Sequence, residues 1–315
     1  MPTCFGGTLG SAFLLYYDVL LTFSETTSSF LYQGIDGSEP VISLKEYHVI
    51  VCGLMGGSES SSPSNQASPH DGPNFPKTTY EDNIRLQKAL TDSLGIKTIY
   101  AYIGFSMGGQ QAYHAVTLFP DWVERAVMLA TSAKTSAHNW SFLEGPKTAL
   151  LSSKDFNDGH YTSPPLVGTR AFKRVYSTWA LCQAWFREKQ WETLGYKSLE
   201  DYLEENWGGK GNDANDLLQM TWTWQHGDIT DYYPEDKGDL AKTLARIKAR
   251  CIIMPARTDQ YFPPEDSEFE IKHLKNAELA VIETIWGHVA GGGSGTKQYK
   301  IFIAEHVKKV LAEKT

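Results

Sequence analysis

One short stretch, residues 98–109, constrains the fold of this chain more than any other. Residues 98–103 are β-branched or aromatic apart from one alanine and carry no charge, which predicts a strand buried on both faces of a parallel sheet. A tight glycine-rich turn follows, and residues 112–119 then place apolar side chains at helical spacing. Because Pro120 cannot continue a helix, the stretch predicts a strand, a turn and one amphipathic helix.

The turn at residues 104–108 fits the pattern Gly-x-Ser-x-Gly, in which a serine nucleophile occupies a strained turn between a strand and a helix. Gly104 and Gly108 are the small neighbours that such a turn needs on either side of Ser106. The pattern alone is short enough to match by chance. Its position between a buried strand and a helix makes a catalytic Ser106 the better interpretation.

Short apolar segments alternate with helical ones along the rest of the chain. Further strands are predicted at residues 47–52, 126–130, 251–256 and 279–282. This alternation predicts an α/β fold with a mostly parallel sheet and helices on both of its faces. One helix is predicted to start at Thr78 or Thr79 and to end at Gly95, with its buried face formed by Leu86, Ala89, Leu90 and Leu94. A closing helix is predicted over residues 297–311.

The alternation stops after residue 130, and no apolar strand is apparent before about residue 240. We therefore divide the chain into a first core part (1–130), an inserted helical cap (131–240) and a second core part (241–315). Seven of the nine tryptophans lie in the cap, from Trp140 to Trp224. They have two interpretations, as the core of the cap or as part of the lining of a substrate pocket.

Composition and charge exclude several classes of function. The net charge of −8 and the absence of any basic run argue against a nucleic-acid partner. The four cysteines, Cys4, Cys52, Cys182 and Cys251, show no metal-binding spacing, so we expect free thiols and no metal. The apolar run at residues 12–23 is too short to span a bilayer, and Lys45 is the first basic residue, whereas a signal peptide needs a basic start. We expect no export and no membrane partner, and hence a cytoplasmic protein.

Three residues that could perform acyl chemistry together follow predicted strands. Ligands bind beyond the carboxyl ends of the strands in open α/β sheets, and Ser106, Asp259 and His288 all lie there. Their order of serine, acid and histidine is that of the α/β hydrolases. A serine hydroxyl is a weak nucleophile, so His288 would accept its proton while Asp259 orients the imidazole and stabilises its charged form.

Two parts of this candidate site leave alternatives open. Asp266 could replace Asp259 as the acid, although its place in the first turn of a predicted helix already explains it. The oxyanion that forms during acyl transfer needs two backbone N–H donors. One is expected at Met107, directly after the nucleophile, and the other in an earlier turn, where Phe5 is the best candidate.

Three motifs resemble those of the homoserine acetyltransferase branch of the α/β hydrolases. They are the Gly-Phe-Ser-Met-Gly-Gly turn at 104–109, the segment from Asp259 to Asp266, and Trp-Gly-His at 286–288. The chain is most similar to a poorly characterised group within that branch, in stretches 54–75, 131–145 and 221–229, and the resemblance covers about residues 47–312. It implies an acyl-serine mechanism, with acetyl-CoA as the acyl donor if transfer is retained, and it is compatible with a homodimer. We expect no bound cofactor.

The chain also departs from the pattern of that family. Val289 follows the histidine, where the homoserine enzymes carry an acid that meets the amino group of the substrate, so we expect a substrate other than homoserine. The family begins with a pair of strands ahead of the oxyanion turn, which residues 1–45 do not provide. We therefore expect this end of the sequence to be truncated or mis-spliced.

The sequence supports three hypotheses about function. The first is a serine acyltransferase that acts through acyl-Ser106 on a small-molecule donor and acceptor. The second is an esterase or other hydrolase with the same fold and the same triad. The third is a non-catalytic binding protein on a hydrolase scaffold, which the presence of all three triad residue types disfavours.

Overall fold

The computed structural model describes residues 1–5, 30–57 and 59–313 of the chain. In the part it describes, four strands form one sheet in the order β1-β2-β3-β4, and every neighbouring pair is parallel. The strands are β1 (Ile99–Phe105), β2 (Val123–Leu129), β3 (Arg250–Met254) and β4 (Ala277–Leu279). The apolar run at residues 12–23 lies outside the described residues.

Helices connect the strands and cover the sheet. The α-helices are α1 (Phe30–Gln33), α2 (Tyr80–Ser93), α3 (Met107–Leu118), α4 (Ala137–Leu151), α5 (Leu166–Ala180), α6 (Gln183–Arg187), α7 (Leu199–Trp207), α8 (Ala214–Gln225), α9 (Leu240–Leu244), α10 (Pro264–Glu270) and α11 (Lys297–Ala312). Short 3₁₀ helices occur at Gly72–Asn74, Asn157–Gly159, Gln190–Leu194, Ile229–Tyr232, Pro234–Asp236 and Gly287–Gly292. None of the helices in the described ranges is both long enough and apolar enough to cross a bilayer.

Strand β2 shows how the two faces of the sheet are built. Ala126 and Met128 pack in the cluster that contains the buried side chains of α3, whereas Val127 and Leu129 pack in the cluster that contains those of α11. This alternation follows from the period of two along a strand. Helices therefore cover both faces, and the predicted α/β fold with a parallel sheet is confirmed.

Two predicted strands are wrong in extent. Residues 47–52 were expected to form a strand, but in the described ranges they show only an isolated parallel bridge between Cys52 and Pro2, because the described cross-strand hydrogen bonds of this segment involve only Met1 and Thr3. The last strand was predicted at residues 279–282 and instead ends at Leu279. An isolated bridge between Ile282 and Ala256 continues its direction.

The expected buried face of α2 is also wrong. Leu86 is 55% exposed, and Leu90 and Leu94 are exposed as well. The buried face instead carries Tyr80, Asn83, Ile84, Gln87 and Thr91. Polar residues can be buried here because they find partners: the side chain of Gln87 accepts from the hydroxyl of Tyr102 (2.6 Å) and donates to Gln111 (2.8 Å).

Strand β1 is less buried than its composition indicated. The expectation was burial on both faces, which holds for Tyr102 and Ile103, but Tyr100 is 40% exposed. The reason is the place of β1 in the sheet, because it pairs with β2 on one edge and has no strand beside its other edge among the described residues.

The chain between β2 and β3 is helical, from α4 to α9, wherever it has regular structure. Its tryptophans serve both of the purposes considered from the sequence. Trp185 and Trp224 are fully buried in the core, whereas Trp207 lines a pocket that also contains Ser106. Trp140 does neither and is 46% exposed.

Candidate active site

Ser106 occupies the turn between β1 and α3 with a backbone conformation that few non-glycine residues adopt (φ 57°, ψ −127°). The turn is tight enough to demand glycine beside it. A Cβ atom added to Gly104 would lie 2.0 Å from the carbonyl oxygen of Gly108, and one added to Gly109 would lie 2.5 Å from the side chain of Thr131. The local sequence therefore folds this way because it carries no side chain at these positions.

The structure brings Ser106, His288 and Asp259 together in one hydrogen-bonded chain. The distance from His288 Nε2 to Ser106 Oγ is 2.8 Å, and that from His288 Nδ1 to Asp259 Oδ2 is 2.7 Å. Because a carboxylate accepts, Nδ1 carries the proton in this arrangement, and Nε2 is left to accept from the serine hydroxyl. All three residues are buried, with Ser106 only 2% exposed.

The carboxylate of Asp259 is fixed from its other side. Its Oδ1 accepts from the backbone N–H groups of Tyr261 (2.8 Å) and Phe262 (3.0 Å), while Oδ2 faces His288. These bonds form because Asp259 begins the turn that follows β3 and leads toward α10. The turn thus holds the carboxylate in the orientation that the imidazole requires.

The imidazole of His288 lies among aromatic rings. The ring centres of Phe105, Tyr261 and Phe262 lie 4.8, 4.8 and 5.7 Å from its own. His288 belongs to the glycine-rich 3₁₀ helix Gly287–Gly292, and a Cβ added to Gly291 would lie 2.4 Å from Ala130. The small residues after His288 therefore let this helix pack closely against the end of β2.

Asp266, the alternative acid, lies elsewhere. It is in the first turn of α10, and one of its carboxylate oxygens is buried with no hydrogen-bond partner among the residues that the structure describes. Burial raises the pKa of Asp266 to about 6, and the negative charge of Glu265 acts in the same direction. Within the described chain, Asp259 and not Asp266 is the carboxylate bonded to His288.

A pocket of about 330 Å³ opens beside Ser106. Its walls are mainly aromatic, from the first residues of the chain, the end of β1, the helical region and the loop after β3: Phe5, Phe105, Phe172, Tyr176, Trp207 and Tyr261. The ring of Phe5 stacks on that of Tyr176 at 5.2 Å, which places the candidate oxyanion turn in the wall of this pocket. Met107 is the first residue of α3, so its N–H belongs to the unpaired first turn of a helix.

Comparison with known proteins identifies the family. A family model described as the α/β hydrolase fold matches residues 37–290. The chain belongs to this family. An ethyl acetate hydrolase from Pseudomonas veronii is 32% identical over 273 residues, which cover 85% of this chain and 77% of that protein. A solved structure of the acetyl esterase MekB superposes with a TM-score of 0.87 at 28% identity, covering 99% of this chain and 85% of the other.

The resemblance to the acetyltransferase branch of the α/β hydrolases is confirmed too. A homoserine O-acetyltransferase from Methanosalsum zhilinae is 30% identical over 268 residues, which are 78% of this chain but 54% of that protein. These relatives are enzymes, and so is this member of the family. They divide between ester hydrolysis and acyl transfer.

Sequence reasoning missed most of the pocket wall of this α/β hydrolase. Phe172 and Tyr176 lie on the same face of α5, one helical turn apart, but their sequence alone does not say which surface that face meets. Tyr261 had a detectable signal, because it stands two residues after the candidate acid. No group of three or more His, Cys, Asp or Glu that could hold a metal occurs in the described ranges.

Proposed function

We propose that the protein hydrolyses esters of short carboxylic acids, with acetate esters as the preferred substrates, through an acyl-Ser106 intermediate. The observation that carries the proposal is the hydrogen-bonded chain Ser106–His288–Asp259 at the wall of a small aromatic pocket. A volume of about 330 Å³, shared between acyl and alcohol groups, suits small substrates. The ethyl acetate hydrolase and the acetyl esterase described above support the same substrate class.

The acylation step follows from the geometry. His288 Nε2 takes the proton of Ser106 as Oγ attacks the ester carbonyl, and Asp259 stabilises the imidazolium that forms. The backbone N–H groups of Met107 and Phe5 would stabilise the oxyanion, with the N-terminal end of α3 adding a favourable dipole. The carbon–oxygen bond to the alcohol then breaks, and His288 gives its proton to the departing alkoxide.

Deacylation repeats these steps with water as the nucleophile. His288 removes a proton from the water, the new bond forms at the acyl carbon, and the bond to Ser106 Oγ breaks as the proton returns to it. The products are the free acid and the regenerated serine. No cofactor is needed for either step.

A chain-length series tests the proposal. The wild-type enzyme should hydrolyse p-nitrophenyl acetate faster than the butyrate and far faster than the octanoate, because the pocket is small. Ser106→Ala should lower kcat/KM on the acetate by at least about 10⁴-fold. Ser93→Ala, which changes an exposed serine of α2 that does not line this pocket, is the matched control and should stay within about threefold of wild type. Retention of a tenth of the rate by Ser106→Ala would refute the mechanism.

Acyl transfer is the second candidate function, favoured by the burial of Ser106 and His288, which hinders access by water. Val289 lines the pocket beside His288 and offers no charge to an amino group, so the acceptor proposed here is a neutral alcohol rather than homoserine. The donor would be an acetate ester or acetyl-CoA. Added ethanol should raise the rate of p-nitrophenol release and yield ethyl acetate if transfer dominates, and should leave acetic acid as the product if hydrolysis does.

A further inference from the structure

Tyr261 contacts two members of the hydrogen-bonded triad at once. Its backbone N–H donates to Asp259 Oδ1 (2.8 Å), and its ring centre lies 4.8 Å from that of His288, with the two rings inclined at 63°. The residue is 1% exposed and also lines the pocket beside Ser106. Because one residue contacts both groups, its position bears directly on how Asp259 and His288 meet.

The inserted helical region holds this residue by hydrogen bonds from two sides. The hydroxyl of Tyr261 donates to the carbonyl of Tyr176 in α5 (2.6 Å), and its own carbonyl accepts from the side-chain amide of Asn139 in α4. The neighbouring Gln260 donates from its side chain to the carbonyl of Leu181, directly after α5 (3.1 Å). These bonds join the turn after β3 to the helical region that lies between β2 and β3 in the sequence.

Aromatic rings of the same helical region enclose the ring of Tyr261. Phe142 of α4 stacks on it at 4.8 Å and an angle of 15°, and Tyr176 lies 4.8 Å away. Trp224 of α8 meets it edge-on at 5.5 Å and stacks on Phe262, the next residue of the turn, at 5.1 Å. Aromatic pairs favour particular geometries, so the three helices fix the tilt of the ring as well as its place.

Asn139 has a feature that stability alone does not explain. Its side chain is fully buried, yet Oδ1 has no hydrogen-bond partner among the described residues. An unsatisfied buried polar atom destabilises a folded protein, so an apolar side chain would suit this part of α4 better. The amide has one described side-chain hydrogen bond, which it donates to the carbonyl of Tyr261. That bond gives the asparagine a role in holding the turn.

We propose that Tyr261 is a positioning residue, through which helices α4 and α5 keep Asp259 and His288 in their catalytic alignment. The carboxylate can orient the imidazole and stabilise its charged form only in the place where the turn holds it. The inserted region thereby takes part in catalysis beyond forming a wall of the pocket. This role rests on the esterase function proposed above, because the groups that it aligns are those of the acyl-serine mechanism.

The first test removes one hydroxyl group. Tyr261→Phe keeps the ring and the backbone N–H and loses the bond to Tyr176. It should lower kcat on p-nitrophenyl acetate about tenfold and leave KM within about twofold, because the wall of the pocket keeps its shape while the triad loses its alignment. The matched control is Tyr233→Phe, which removes a hydroxyl that donates to the carbonyl of Thr117 (3.0 Å), at the end of α3 far from Ser106. Its kcat should stay within about twofold of wild type.

A double-mutant cycle separates positioning from a general loss of structure. The rate at which a fluorophosphonate labels Ser106 is measured for Tyr261→Phe in the wild-type and Asp259→Asn backgrounds. We expect about a tenfold loss in the first and less than a twofold loss in the second, where the carboxylate to be positioned is already gone. An equal loss in both backgrounds would overturn the proposal, and so would labelling by Tyr261→Phe within twofold of wild type. This probe needs no particular ester, so absence of ester turnover would refute the proposed function and leave the positioning test intact.

Two further measurements extend the test to the helical region and to the hydrogen bond itself. Asn139→Ala removes the bond from α4 and should slow labelling several-fold in the wild-type background and not in Asp259→Asn. The far-downfield proton NMR signal of His288 Nδ1–H should broaden or shift in Tyr261→Phe and stay unchanged in Tyr233→Phe. An unchanged signal in Tyr261→Phe would show that the helical region does not act on the pair of Asp259 and His288.

Discussion

The buried carboxyl group of Glu270 makes the stability of this protein depend on pH in a predictable way. Glu270 ends α10 and is 1% exposed; its two oxygens accept from the N–H of Ala133 and the hydroxyl of Tyr113, each at 2.6 Å. These bonds lower the pKa of the carboxyl group, but burial outweighs them and raises it from 4.5 to about 8. The native protein therefore keeps a proton that the unfolded chain releases.

The sign and size of the effect follow from that difference. Between pH 4.5 and about 8 the native state binds more protons at Glu270 than the unfolded state does, so the free energy of unfolding falls as the pH rises. A tenfold change in an acid dissociation constant corresponds to about 1.4 kcal/mol, so the penalty above pH 8 is on the order of 5 kcal/mol. Glu270→Gln is neutral at every pH and can still accept from Ala133 and donate to Tyr113, so it escapes the penalty.

Urea unfolding followed by circular dichroism, at steps between about pH 5 and pH 9, measures the difference between Glu270→Gln and wild type. We expect the variant to gain stability over wild type steadily through this range, by several kcal/mol in total. Glu305→Gln, which removes an exposed carboxylate from α11, is the matched control and should show a small and constant difference. A constant difference for Glu270→Gln as well would refute the reasoning.

Three further predictions test the site and the fold. Asp259→Asn should lower kcat/KM on p-nitrophenyl acetate by about 10⁴-fold because an amide cannot accept from both its backbone donors and His288. Asp266→Asn should keep kcat/KM within about threefold of wild type. The reverse ranking would assign the role of the acid to Asp266. Gly104→Ala should lower the free energy of unfolding by at least about 4 kcal/mol or prevent folding, because the added Cβ would lie 2.0 Å from a backbone oxygen. The control is Gly53→Ala, whose added Cβ would lie 3.4 Å from its nearest neighbour. It should lower the free energy of unfolding, measured by thermal melting, by less than about 1 kcal/mol. Leu90→Gln on α2 should change the melting temperature by no more than about 2 °C because this side chain is exposed. A large fall in the melting temperature would show that the leucine face of α2 is the buried one.

The candidate site could be located from sequence because its residues stand at marked positions. Ser106 lies in a glycine turn whose tightness only glycine allows, and Asp259 and His288 each follow a segment that extends the sheet. Strand order brings such positions to one edge whatever the intervening chain does. The distances that join the three residues needed the structure, as did the choice of Asp259 over Asp266 as the partner of His288.

The failures of sequence reasoning have physical causes of two kinds. On α2, leucine spacing indicated one face, but a hydrogen bond accepted from Tyr102 and one donated to Gln111 made it possible to bury Gln87 on another. Along residues 47–52, β-branched composition indicated a strand, but a strand exists only where a partner lies beside it. Both depend on contacts between distant segments, which local patterns do not encode.

The parallel pairing of β2 with β3 places Arg125 opposite Arg250, so the whole helical region loops out between two adjacent strands. The entropy lost in closing a loop grows with the logarithm of its length, and doubling the loop costs only about 0.6 kcal/mol. Mutation can therefore lengthen, shorten or replace the helical region between β2 and β3 while Ser106, Asp259 and His288 keep their places beyond the ends of the strands. New substrate specificity can therefore arise through changes in this helical region alone. Replacing the region with the corresponding one from another member of the family is the most direct test of that route.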